Sequence, residues 1–159
     1  MIICLDSMIC VWAIKKQANE NQKHNLANAE YLLELIMQNK WKVIIPTVVI
    51  AEILMVEPEE KYQEILETIN NGFIIAEFDI RAATKYSQIL KTIYPELKRL
   101  AKEEGVSREK MKVDHLILAC ALVNGAKTIF THDDNLSKFA NGLINVRTLP
   151  SRPISNYLF

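Results

Sequence analysis

Five short, mostly apolar runs punctuate this chain: MIICL at residues 1–5, KVIIP at 42–46, FIIAEF at 73–78, KTIFT at 127–131 and INVRTL at 144–149. The first two, short and continuous in apolar character, read as buried strands, and the others as a third, fourth and fifth strand. Between them lie longer segments whose apolar residues recur at helical spacing, as in NLANAEYLLELIMQNK at 25–40. Strands that alternate with helices predict an α/β domain with a mostly parallel five-stranded sheet and helices on both faces, three layers in all. A chain of 159 residues supports one core of that kind. The expected organisation is a single domain over 1–150 with a tail over 151–159.

Local signals set the expected boundaries. SMICVWAIKK at 7–16 reads as a helix, and Thr47 stands where it can cap VVIAEILMV. Pro58 opens a helix that Gly72 closes. A further helix spans 80–94, and Pro95 begins a separate charged helical stretch ending near Gly105. Ser107 is the expected cap of a helix running through VDHLILACALVNG, stopped by Gly125, and DNLSKFANG is a short helix. The run HLILACALV is apolar on every side, which predicts a central helix.

Composition narrows the function. Nineteen basic and nineteen acidic residues give a formal net charge of +0, so the chain lacks the general cationic coat of an architectural nucleic-acid binder. Cys4, Cys10 and Cys120 have no metal-ligand spacing and sit among apolar neighbours, which predicts reduced, buried thiols and a cytoplasmic setting. The apolar opening is followed, not preceded, by its lysines and is interrupted by Asp6, unlike a signal peptide. VIIPTVVIAEILMV is too short for a membrane span and contains Pro46 and Glu52. No membrane association is expected.

Four carboxylates are out of keeping with their surroundings. Asp6 directly follows the first strand, and Asp133, with Asp134 beside it, holds the corresponding place just past the fourth. Open α/β sheets bind ligands at the carboxyl ends of their strands, where strand order reverses. Glu52 lies too far into its apolar helix for a capping box, and Asp114 leads the central apolar helix. Each also has a local reading: Asp6 and Asp133 as helix caps, Glu52 reaching solvent, Asp114 favouring a helix dipole. If the four meet, each pair about 5 Å apart contributes ~3 kcal/mol of repulsion at an effective dielectric of 20, and the cluster approaches ~20 kcal/mol. Such a cluster binds protons or a cation. Oxygen donors suit hard divalent ions, Mg²⁺ or Mn²⁺.

On CLDS around Asp6, IPTVVIAEIL around Glu52, KVDHLILACAL around Asp114 and AKTIFTHDDNL around Asp133, the chain resembles the PIN domains, which include VapC-type toxin ribonucleases. Met8 and Leu136 depart from the residues common there, a small polar residue and an aromatic. The resemblance implies strand order 3-2-1-4-5 and an acidic metal site made of Asp6, Glu52, Asp114 and Asp133. It also implies a metal-dependent endoribonuclease, a homodimer, and a toxin held by an antitoxin protein. In that scheme Asp6 and Asp114 are direct ligands of Mg²⁺ or Mn²⁺. Asp133 ligates a second ion or acts through water, and Glu52 holds metal-bound water or assists proton removal. Ser7, Thr131 and Asp134 orient the carboxylates.

An RNA substrate needs cations beside that acid. Lys15 and Lys16 follow the first strand; Lys98, Arg99, Lys102, Arg108, Lys110 and Lys112 precede Asp114, interleaved with glutamates that make a solvated helix face an equal reading. Two alternatives stand beside the nuclease: a catalytically silent PIN-like module that binds RNA or protein, and a His/Asp-site metal hydrolase using His115 and His132. Successive helical residues diverge by about 100°, and successive extended residues face opposite ways, so neither His shares its neighbour's direction. That favours packing roles for both, while His24 reads as a surface residue. A haloacid-dehalogenase-type phosphatase would want an Asp at Met8 and is set aside.

Overall fold

All five apolar runs become strands of one sheet: β1 (Ile2–Leu5), β2 (Lys42–Pro46), β3 (Ile74–Ala76), β4 (Thr128–Phe130) and β5 (Asn145–Arg147). The computed structural model describes residues 1–103, 108–140 and 142–153. The strand order is β3-β2-β1-β4-β5, with every pairing parallel. From β1 the chain winds outward through β2 and β3, then returns to the other side of β1 for β4 and β5. The direction of winding therefore reverses between β1 and β4. Ile3 pairs with Thr128, Cys4 with Ile129 and Leu5 with Phe130, so both strands end level with each other.

The helices are α1 (Ser7–Cys10), α2 (His24–Gln38), α3 (Thr47–Met55), α4 (Tyr62–Gly72), α5 (Ile80–Glu103), α6 (Arg108–Val123) and α7 (Asp134–Ala140). Among them α6 is the central one: Ile117, Leu118, Ala119, Cys120 and Ala121 are all buried, as a stretch apolar on every side requires. The amphipathic α5 lies along it. All three cysteines are free and buried, and burial drives the thiols of Cys4 and Cys10 well above their ordinary range. Such thiols are poor nucleophiles.

Several local expectations are corrected. The segment after Asp6 is not one α-helix: α1 gives way at once to a π-helical turn over Val11–Lys15, closed by Lys16 in the left-handed conformation. Pro46, not Thr47, occupies the capping position of α3. Thr47 is already helical, and its hydroxyl instead accepts the Phe78 N–H at 3.3 Å, tying the end of β3 to α3. Pro58 precedes a 3-10 turn over Glu59–Lys61, and α4 proper begins at Tyr62. A single helix, α5, runs through Pro95. Proline removes one backbone donor, but helix-forming residues continue on both sides of it. Ser107 lies outside the described residues.

The tail does not start free. Arg152 donates its backbone N–H to Asn28 Oδ1 at 2.9 Å and reaches Glu34 at 2.8 Å and Glu30 at 3.6 Å, fastening residues 151–153 to α2. No helix among the described residues is long and apolar enough to cross a membrane.

Leu118 has no exposed surface, whereas Met37 is 70% exposed. Leu118→Ala is expected to lower unfolding free energy by about 2–5 kcal/mol and Met37→Ala by less than about 0.5 kcal/mol. Urea denaturation checks both.

Candidate functional site

Because β1 and β4 end side by side, the residues that follow them meet. Asp6 donates its backbone N–H to the Phe130 carbonyl at 3.2 Å, one step beyond the last paired residues. Its carboxylate caps α1, with Oδ1 accepting the Ile9 N–H at 2.9 Å. Asp133 does the same for α7: its Oδ1 accepts from the backbone of Asn135 at 2.8 Å and of Leu136 at 3.2 Å. The local reading of these two acids as helix caps is thus correct. It does not compete with a shared site, because the same strand ends that start the helices bring the caps together.

Thr131 is the link between them. Its hydroxyl oxygen accepts the Asp133 N–H at 2.9 Å and donates to the Asp6 carboxylate. Thr131 is fully buried, and its own N–H is held by the Arg147 carbonyl of β5 at 2.9 Å. A hydroxyl can accept and donate at once, which makes threonine suited to this place.

Asp6 is only 3% exposed. Burial pushes its carboxyl up to about 6, opposed by the hydrogen bonds from Ile9 and Thr131 and reinforced by the charges of Asp133 and Glu52. Glu52, carried by α3, points its Oε2 into the interior and, with Ser7, lines a pocket of about 250 Å³ whose walls are Met8, Val11, Trp12, Ile53, Met55 and Val56. Asp114 is buried near the start of α6, with its Oδ2 shielded from solvent. The four acids are therefore carried by the ends of β1 and β4 and by the packed pair α3 and α6.

Among the described residues, no group of three or more His, Cys, Asp or Glu side chains is placed to hold a metal ion together. The donors nonetheless suit a hard divalent ion. Mg²⁺ is commonly held by one or two carboxylates with several waters retained. A desolvated Asp6 pressed by two further carboxylates is a group whose charge a cation would stabilise.

The remaining predicted residues fall as follows. Ser7 is the first residue of α1 at the pocket rim, and Asp134 is exposed at the first residue of α7. Lys15 is turned inward, with its ammonium paired to Glu57 and both side chains nearly buried. That pairing lowers the Glu57 carboxyl. Lys16 and Lys112 are exposed. The Lys98, Lys102, Arg108 and Lys110 side chains lie outside the described residues.

The histidines pack. His115 is fully buried, with its ring 4.6 Å from that of Phe139. His132 sets its ring edge-on to Trp12 at 5.0 Å and 89°, and its Nε2 accepts the Leu149 N–H at 3.1 Å. Burial, and the charge of His24, lower the tendency of His132 to protonate. The Lys15–Glu57 pair and the His132 acceptor role were not apparent in the sequence, since each joins segments that no local spacing relates.

The PIN domain family matches residues 3–142. The chain belongs to the PIN-domain family. Among solved structures this PIN domain is similar to VapBC2 from Rickettsia felis, solved bound to a DNA fragment from its promoter, with a TM-score of 0.66 at 22% identity over 94% of this chain and 100% of that one. It is also similar to VapBC-1 from nontypeable Haemophilus influenzae, with a TM-score of 0.62 at 15% identity over 94% of this chain and 98% of that one. At such identities the likeness is one of fold. No curated protein matches it in sequence.

Asp6 titrates near 6 when folded against 3.8 ordinarily, so folding favours its protonated form. That contribution is fully present below pH 4 and is lost as pH rises through 6, amounting to about 3 kcal/mol. In EDTA at pH 8, Asp6→Asn, which still caps α1, is expected to be more stable than the wild type, with the gap narrowing towards pH 5. Urea midpoints at both pH values check it.

Proposed function

We propose that this PIN domain is a metal-dependent endoribonuclease, the toxin of a toxin–antitoxin pair. The observation that carries the reading is the buried Asp6, tied through Thr131 to Asp133 and pressed by Glu52 where strand order reverses. Asp6, Asp114 and Asp133 would hold Mg²⁺ or Mn²⁺, with Glu52 beside them. The bound ion supplies an activated water and offsets charge on the phosphate oxygens.

The chain's own residues prepare that chemistry. The Ile9 and Thr131 hydrogen bonds fix the Asp6 carboxylate in one orientation, so it does not reorganise when an ion or substrate arrives. Two backbone N–H groups of α7 do the same for Asp133. Glu52 lines the pocket, where it can accept the proton of the attacking water. Low exposure around Asp6 limits competition from bulk solvent. Ser7 and Asp134 lie next to these carboxylates in sequence and support them.

The substrate is read as RNA, with Lys16 and Lys112 as exposed cations for its backbone. Lys110 belongs to the same stretch by sequence. Lys15 supports the site by bracing the turn after α1 against Glu57. The apolar pocket beside Glu52 is suited to a side chain of an antitoxin, and the VapBC names of the two similar structures support a partner of that kind. A homodimer acting in the reducing cytoplasm completes the proposal, in keeping with three free thiols. The His/Asp hydrolase is disfavoured, because His132 Nε2 is engaged by Leu149 and His115 is fully buried with its ring packed at a tilt against Phe139.

Purified protein incubated with an unstructured RNA is expected to cut it in Mg²⁺ or Mn²⁺ and not in EDTA. Asp6→Asn and Asp133→Asn are each expected to lower the rate about a hundredfold or more while remaining folded. Full cleavage in EDTA, or by Asp6→Asn, would remove the metal-dependent site assigned here. A folded wild type that binds RNA without cutting it would favour the silent binding module.

A further inference from the structure

We infer that His132 is a positioning residue for the metal site, holding the Thr131–Asp133 loop in place through a hydrogen bond from the segment that follows β5. The inference rests on the nuclease reading above and adds to it a residue that does not itself touch metal or substrate.

The loop that carries Asp133 is anchored at its two ends. Thr131 is held by the Arg147 carbonyl, and Asp133 is held by its capping bonds to α7. His132, between them, extends away from the acids and meets two other parts of the chain. Its Nε2 accepts the backbone N–H of Leu149 at 3.1 Å, and its ring edge meets Trp12 at 5.0 Å. Trp12 is nearly buried in the π-helical turn that directly continues α1, the helix capped by Asp6. One imidazole thus spans the support of Asp133, the support of Asp6 and the chain after β5.

That last segment is itself pinned. Leu149 is buried, and three residues later Arg152 is fastened to Asn28 and Glu34 of α2. The Leu149 N–H therefore presents a fixed donor, which a loop ending freely in solvent would not. An acceptor is required at position 132 to meet it, and the imidazole ring meets Trp12 besides. Histidine supplies both. Partners of this kind, which orient a ligand without binding the ion, commonly change metal affinity by about 10–100-fold.

The test uses the full chain and Mn²⁺ alone, with affinity read by electron paramagnetic resonance and fold stability read separately by urea unfolding in EDTA. His132→Gln places an amide oxygen near the position of Nε2 and is expected to keep Mn²⁺ affinity within about threefold of wild type. His132→Phe keeps a ring against Trp12 but has no acceptor, and is expected to weaken Mn²⁺ binding about tenfold. His132→Asn is polar but too short to reach Leu149; it is expected to match the Phe variant, and it stands in if that variant does not fold. Amide exchange at Leu149 should quicken in Phe and Asn and not in Gln. Equal Mn²⁺ affinity in wild type, Gln, Phe and Asn overturns the proposal, as does a loss in Gln equal to that in Phe. A wild type that binds no Mn²⁺ instead overturns the metal site itself, and with it this role for His132.

Discussion

A carboxylate buried at the end of a central strand is the constraint around which this protein is arranged. Asp6 is withdrawn from water and crowded by Asp133 and Glu52, yet it is held by an N–H from its own helix and a hydroxyl from the neighbouring strand end. Those two bonds make the ionised form tolerable without making it comfortable, which is why the group titrates near 6. A site left in that condition has free energy available for a cation. The same condition makes the metal-free fold less stable at neutral pH than a neutral side chain would.

The fold creates this condition through topology. In a parallel sheet every strand ends on the same edge, and only where winding reverses do two adjacent strands send their chains to opposite faces. Here that place is between β1 and β4, and it sets Asp6, the first residue after β1, near Asp133, three residues past the end of β4. Both are also helix caps, so the backbone N–H groups of α1 and α7 hold the carboxylates that the site uses. A cap would be satisfied equally by serine or asparagine, whereas a cation site requires the charge.

Much of this was legible in the residues. The five apolar runs, the central helix around Leu118, and the anomalous positions of Asp6, Glu52, Asp114 and Asp133 all follow from hydrophobic pattern and local chemistry. What local chemistry misjudged were places where packing overrode a single residue's preference. Pro95 does not end its helix: α5 continues through it and packs along α6. Thr47 does not cap; its hydroxyl accepts the N–H of Phe78, just past the end of β3. Lys15, one of the cations expected to face RNA, is turned inward to Glu57. In each case the deciding partner is distant in the chain.

Taken alone, the amino-acid order determined the strands, the helices that separate them, and which acids stand where an acid is out of place. These are matters of period and of nearest neighbours, and short-range sterics and burial settle them. Only the tertiary structure decided that one threonine hydroxyl joins two of those acids, that His132 serves as an acceptor between β5 and the turn after α1, and that the last described residues are strapped to α2. Hydrogen bonds of this kind depend on orientation within a few tenths of an ångström. Such orientation exists only once the sheet has set the separate segments side by side.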